Sequence, residues 1–162
     1  MIAIVAVEQG WGIGMDGNLL LRNPADMKRF KERTLGHSVI LGRKTLESFP
    51  GGKPLPGRDN LVLSRTMDDA PEGVKLFRDV DSLLAAAPDD SFVIGGGEVY
   101  RQLLPWCDEA QVTYVDAPIE ADTFFPNLDA DPDWELAESE GPYEAPTGEP
   151  FWFRTYRRRE NL

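Results

Sequence analysis

Short apolar runs alternate along the chain with segments whose apolar positions recur every three or four residues. The strand-like runs cover residues 1–7, 38–41, 60–63, 74–77, 92–94 and 110–115, and the helical patterns cover 25–35, 44–48, 80–87 and 98–104. A last pair of strand-like runs, 134–137 and 151–156, has no helix between them and is expected to pair antiparallel. Strands that alternate with helices predict an α/β fold with a mostly parallel sheet. The Gly- and Pro-rich stretch 50–57 and the acidic stretch 129–133 read as loops. No repeat, low-complexity tract or interdomain linker interrupts the pattern, so a single domain over residues 1–162 is expected.

The helix at 25–35 has a clear start. Asn23 suits the N-cap, Pro24 the first helical position, and Gly36 a stop. Asp26, Phe30 and Arg33 fall on one stripe. Asp26 is flanked by apolar Met27 and Phe30; taken locally, it serves the helix macrodipole, worth about 0.3–1 kcal/mol.

Glycine marks three junctions. Gly12-Ile13-Gly14-Met15-Asp16-Gly17 matches G-x-G-x-x-G in form, but no helix opens at its last glycine, so it reads as a mobile loop able to close over a ligand. Gly42-Arg43-Lys44-Thr45 misses the Walker A spacing. It still puts cationic and hydroxyl donors at a helix start, which suits an anion or a solvated basic helix end equally well. Gly95-Gly96-Gly97 follows a strand and precedes a helix, where absent side chains let backbone approach a phosphate. Leu63-Ser64-Arg65 ends another strand with donors that suit a monoester phosphate.

Charge sharpens this picture. The net charge is −11, which argues against nucleic acid or an anionic membrane as partner. Residues 1–66 nevertheless carry net +4, whereas 67–153 carry −18 and 154–162 carry +3. Any small anionic ligand is expected within the first sixty-odd residues. One Cys and one His exclude a disulfide within the chain and multi-histidine metal sites, and no metal is expected. Cys107 reads as a packing residue, His37 as a surface residue, and Arg157-Arg158-Arg159 as a solvated strand end. With no signal-peptide pattern at the N-terminus and no long apolar run, the expected address is the cytoplasm.

The order of these motifs resembles dihydrofolate reductase of the bacterial type over nearly the whole chain. The residues that carry the resemblance are Ile4-Val5-Ala6, Gly12-Ile13-Gly14, Pro24-Ala25-Asp26-Met27 through Phe30, and Val39 through Thr45. Pro54-Leu55-Pro56-Gly57-Arg58-Asp59-Asn60, Leu63-Ser64-Arg65, Val93 through Tyr100, Thr113 and Ala121 through Pro126 continue it. The resemblance implies reduction of 7,8-dihydrofolate to tetrahydrofolate by NADPH, with hydride to C6 and a proton to N5. It implies a monomer that also takes antifolate inhibitors. It implies a central eight-stranded, mostly parallel sheet with an antiparallel C-terminal strand and about four flanking helices.

Residue roles follow from the same resemblance. Asp26 matches the lone active-site acid, hydrogen-bonded to the pterin with help from Thr113. Val5, Met27, Phe30 and Leu55 would wall the rings, joined by Ala6, Ile94 and Tyr100. Arg58 matches the arginine that grips the glutamate α-carboxylate. For the cofactor, Ala6 and Ile13 would offer backbone groups to the carboxamide. Val7, Gly14, Gly17, Asn18 and Leu19 would lie along it, with Thr123 beside them. Gly42, Arg43, Lys44 and Thr45 would take the pyrophosphate together with Gly95, Gly96, Gly97, Glu98, Val99, Ile94 and Tyr100. Leu63, Ser64, Arg65 and Arg78 would meet the 2′-phosphate end. A cis peptide between Gly95 and Gly96 is implied as well. Leu20-Leu21 stand where the family commonly has Pro-Trp, and Leu21 cannot donate the indole's hydrogen bond. A different reductase of the same fold, or a nucleotide-binding module without catalysis, are the competing readings. Only dihydrofolate-dependent oxidation of NADPH separates the three.

Overall fold

The computed structural model describes residues 1–21 and 23–159; Arg22 and Glu160–162 of the expected domain lie outside the described residues. Its strands are β1 (Ile2–Glu8), β2 (Gly12–Met15), β3 (Asn18–Leu19), β4 (Ser38–Gly42), β5 (Asp59–Leu63) and β6 (Val74–Phe77). They continue with β7 (Phe92–Gly95), β8 (Glu109–Val115), β9 (Thr123–Phe124), β10 (Trp134–Glu144) and β11 (Pro150–Arg158). The helices are α1 (Pro24–Thr34), α2 (Arg43–Ser48), α3 (Val80–Ala86) and α4 (Gly97–Leu103). An eight-stranded sheet runs β10-β11-β8-β1-β7-β4-β5-β6, and β11 alone runs opposite to the other seven strands.

Alternation along the strands splits the core in two. Ala3, Val5 and Val7 of β1 face one cluster with Trp11, Tyr100, Leu103, Phe125 and Tyr156. Ile4 faces the other with Val39, Leu41, Leu46 and Val62, against which Phe30, Leu55 and Ile94 pack. The site described below opens on this second face.

Three expectations change. The 12–17 stretch is not an irregular loop: β2 and β3 form a hairpin, and β9 pairs with β2 to make a small second sheet. Asp16 and Gly17 turn the hairpin with φ of 51° and 79°, the two positive values a type I′ turn needs. The strand expected at 134–137 runs on to Glu144. It is an edge strand exposed almost throughout, so no apolar alternation marks it in the sequence. Arg157-Arg158-Arg159 is a solvated end only in part: Arg157 and Arg159 are exposed, but the guanidinium groups of Arg158 and Arg159 are tied to the fold. Arg158 donates to the carbonyls of Cys107 (3.0 Å) and Leu104 (2.8 Å) and stacks on Trp134, and Arg159 donates to the Trp134 carbonyl (3.3 Å).

Trp11 holds the hairpin base. Its φ of 66° lies in the left-handed region, unusual for a bulky side chain. Its N–H donates to the Glu8 carbonyl (2.8 Å), and its carbonyl accepts from Phe125 N–H (2.9 Å). The indole is 3% exposed and packs on Phe125, Tyr114 and Tyr156. Trp11→Ala should therefore cost about 3–5 kcal/mol of stability, read as a lower urea midpoint with little change in slope.

Candidate active site

The site begins where the sheet comes apart. β1 pairs with β8 along its whole length, from Ile2 to Glu8. With β7 it pairs only at Ile2 and Ala3. On its far side β7 slips register against β4 at Ile94, between Val93 and Gly95. The two central strands therefore diverge toward their C-terminal ends, where ligands of open α/β sheets bind. The Tyr100 hydroxyl fills the start of the wedge by donating to the Ile4 carbonyl at 2.6 Å. Two residues on, the backbone groups of Ala6 point the same way, toward the gap.

Of the expected substrate wall, Phe30, Leu55 and Ile94 line the α1 side of this wedge together with Ile4. Val5 and Val7 are buried on the opposite face, so only their backbone turns toward the opening. Strand alternation decides this, and Ile4 is the side chain the sequence reading passed over. Met27 is 61% exposed at the rim. Tyr100 is buried with its hydroxyl committed to Ile4, and burial pushes its phenol pKa well above the ordinary value.

Asp26 stands in the first turn of α1, started as expected by Asn23, whose side chain accepts from Ala25 N–H (3.0 Å). The Thr113 hydroxyl on β8 donates to Asp26 Oδ1 at 2.5 Å. Burial raises the Asp26 pKa above its ordinary 3.8, while the Thr113 hydrogen bond and the Arg29 charge oppose the rise.

Arg58 is held by two acceptors, one of them buried. Its Nε donates to the Pro56 carbonyl (3.0 Å) and its Nη1 to Thr34 Oγ1 (3.2 Å). Thr34 is fully buried and donates onward to the Phe30 carbonyl (2.8 Å). Asn60, also buried, accepts from Leu55 N–H and donates to the Leu55 and Arg58 carbonyls, each at 3.0 Å. With two donor groups tied, the remaining guanidinium N–H groups are presented in one orientation, which suits a carboxylate. Thr34 had no signal in the sequence because its role exists only across the α1–β5 contact.

The three glycine junctions converge on the same edge. Gly95 and Gly96 are joined by a cis peptide. A Cβ on Gly97 would come within 2.7 Å of Thr123 Cγ2, so β9 packs directly on this turn. A Cβ on Gly96 would meet only Thr45 Oγ1, at 3.5 Å, and otherwise enters open space between the turn and α2. Arg43 is half-exposed and pairs with Glu47 (3.7 Å), and Glu98 pairs with Arg101 (2.5 Å), which turns its carboxylate away from a ligand role. Lys44 and Arg65 are exposed. Ser64 Oγ accepts from Thr66 N–H (3.3 Å) and Met67 N–H (3.1 Å), leaving its hydroxyl hydrogen to donate. Arg78 braces this turn through the Ser64 (3.4 Å) and Asp68 (3.2 Å) carbonyls. Gly42, Leu63 and Val99 stand at the junctions, and a Cβ on Gly42 would come within 3.1 Å of Val99 Cγ2.

The hairpin is tied to the segment around β9. Asp122 Oδ2 accepts from Asp16 N–H (3.0 Å), and Asp122 N–H donates to the Gly14 carbonyl (2.9 Å). Glu8, buried, accepts from Gly12 N–H (2.7 Å) and Ile119 N–H (3.3 Å) at the hairpin's base. Ile13 is buried beneath it, whereas Gly17, Asn18 and Leu19 form its exposed tip. Among the described residues no group of three or more His, Cys, Asp or Glu is arranged to hold a metal ion.

Comparison with known proteins agrees with this geometry. The family model described as dihydrofolate reductase matches residues 1–158. Dihydrofolate reductase of Bacillus subtilis is 37% identical over 139 residues, covering 85% of this chain and 81% of that protein. Dihydrofolate reductase type 3 of Salmonella typhimurium is 43% identical over 117 residues, 71% of each chain. The structure of the Enterococcus faecalis dihydrofolate reductase complexed with NADP(H) and RAB-propyl superposes with a TM-score of 0.85 at 34% identity, covering 98% of this chain and 96% of that one. The wedge, the Asp26 carboxylate at its mouth and the family match over residues 1–158 lead to one conclusion: the protein belongs to the dihydrofolate reductase family.

Proposed function

We infer that the protein reduces 7,8-dihydrofolate to 5,6,7,8-tetrahydrofolate at the expense of NADPH, with Asp26 as the active-site carboxylate. The observation that carries this reading is Asp26, bonded by Thr113 at the mouth of the β1–β7 wedge. Among the described residues it is the one carboxyl group that burial leaves with a raised pKa, and it stands on the helix that carries Phe30. The dihydrofolate pterin lies against Ile4, Phe30, Leu55 and Ile94, and its glutamate tail reaches Arg58. Ala6, Gly42–Thr45, Gly95–Val99 and Ser64–Arg65 hold the cofactor; the open space at Gly96 fits a phosphate-bearing ligand there. NADPH supplies the hydride when bound.

Asp26 accepts hydrogen bonds from the pterin, and its negative charge favours the proton that N5 must gain. Thr113 holds the carboxylate in the orientation that allows this. The Gly12–Leu19 hairpin, latched on Asp122, excludes bulk water. The protein works as a monomer in the cytoplasm and takes antifolates in the pterin pocket. Residues 1–162 act as one domain.

Loss of NADPH absorbance only when dihydrofolate is present is the primary test. Asp26→Asn should slow hydride transfer at neutral pH by about 100-fold or more and recover in part at low pH; an unchanged rate at pH 7 refutes the assignment. The same substitution should stabilise the fold. A raised carboxyl pKa adds stability below the unfolded value of 3.8, and that contribution is lost as pH rises through the folded value. At neutral pH the buried charge is a cost that Asn removes, so the melting temperature should rise, by roughly 2–4 °C per kcal/mol relieved.

Gly96→Ala should melt like the parent, because only Thr45 stands near the added methyl. It should weaken NADPH binding about tenfold or more, on the order of 1.4 kcal/mol, in a fluorescence titration. Thr34→Val frees the Arg58 guanidinium. KM for dihydrofolate should rise about five- to tenfold with kcat little changed, the signature of lost ground-state binding. A pterin substrate without the glutamate should show no difference between the two proteins.

A further inference from the structure

We infer that Arg29 is a positioning residue for the reaction: from one helical turn away it sets a positive charge beside the Asp26 carboxylate, while Glu140 and the ring of Phe153 on the C-terminal hairpin hold the guanidinium in place. This rests on the reading of Asp26 given above and names what sets that group's charge.

The register of the sheet carries the inference. Ala6 of β1 lies opposite Thr113 of β8, Thr113 opposite Phe153 of β11, and Phe153 opposite Glu140 of β10. These four residues form one row across four neighbouring strands. Two residues three apart on α1 meet that row, and residues so spaced share a helix face. Asp26 takes the Thr113 hydroxyl at 2.5 Å. Arg29 takes the next two places: its Cζ stands 4.3 Å from the Phe153 ring centroid, and its Nη1 lies 3.5 Å from Glu140 Oε2. The Arg29 side chain is only 20% exposed, unlike Lys28 beside it at 79%. A surface arginine serving solubility has no need of an aromatic face and a carboxylate 111 residues away.

The charges facing the pair are few. Asp26 meets Thr113 from β8, Arg29 on its own helix and the Tyr100 phenol from α4, which is already bonded to Ile4. Arg29 meets Arg33 on α1 and Glu140 from β10, where Tyr143 lies against Glu140. Burial pushes the Asp26 carboxyl toward its neutral form, and Arg29 is the one cation that opposes this. Removing its charge should let Asp26 keep a proton to higher pH.

The test is a carbon-13 NMR titration of the Asp carboxyls in the ligand-free protein, with the Asp26 signal assigned by its absence from Asp26→Asn. In Arg29→Met the Asp26 midpoint should rise by about 0.5–1 pH unit, below the 1–3 units of a fully engaged neighbouring charge because Arg29 shares its own with Glu140. Arg29→Lys, which restores a cation, should return the midpoint close to that of the parent. The pH profile of hydride transfer in Arg29→Met should move to higher pH in step. An unmoved midpoint in Arg29→Met, or an equal shift in Arg29→Lys, overturns the inference. Unaltered hydride transfer in Asp26→Asn instead removes Asp26 from the chemistry, and the NMR midpoints still judge its coupling to Arg29.

Discussion

The divergence of β1 from β7 is the constraint on which the rest of the molecule depends. A parallel sheet is stable when every backbone group in its interior has a partner. Here the ladder stops after Ala3, and the vacancy at Ile4 is met by a tyrosine hydroxyl rather than by strand. That substitution leaves the pairing sound at the bottom of the sheet and opens it at the top. The glycine turn after β7 and the start of α4 then face the free edge of β1, and α1 closes one side.

Buried polar side chains set the accuracy of the site. Glu8, Thr34 and Asn60 each sit in the interior with their polar atoms bonded to backbone or to a functional side chain. A buried group without such partners costs about 1–3 kcal/mol, so each fixes the loop it bonds. Glu8 anchors the hairpin base, Asn60 shapes the turn that carries Leu55 and Arg58, and Thr34 aims the guanidinium. The chemistry-bearing residues lie near the surface, and their supports lie behind them.

Electrostatics follow the same division. The net charge of −11 belongs mainly to loops and the outer strand β10, which repel other chains at an open sheet edge. Apart from Arg78, the cations near the site come from residues 1–66, and several already have partners, as with Arg43 and Glu47. Of the acids on β10, Glu140 alone reaches inward to the α1 helix, where it meets Arg29.

Sequence alone determined the order of the main-sheet strands and the helices, the start of α1 at Asn23 and the glycine junctions, because each leaves a local mark: an apolar period, a cap, a residue type demanded by backbone shape. Asp26 left no such mark; locally it reads as a helix-end acid, and only the family resemblance of the whole chain singled it out. The sequence left β10 hidden past Ala137, since an exposed edge strand shows no apolar alternation. It read the hairpin as a loop, because β2 owes its second partner to β9, more than a hundred residues away. The tertiary structure alone decided that Ile4 and not Val5 faces the α1 side of the wedge, that Thr34 steadies Arg58, and that Arg29 meets Glu140 across the sheet. These are matters of register between distant strands, and register is settled by the packing of whole faces, which no short window of sequence contains.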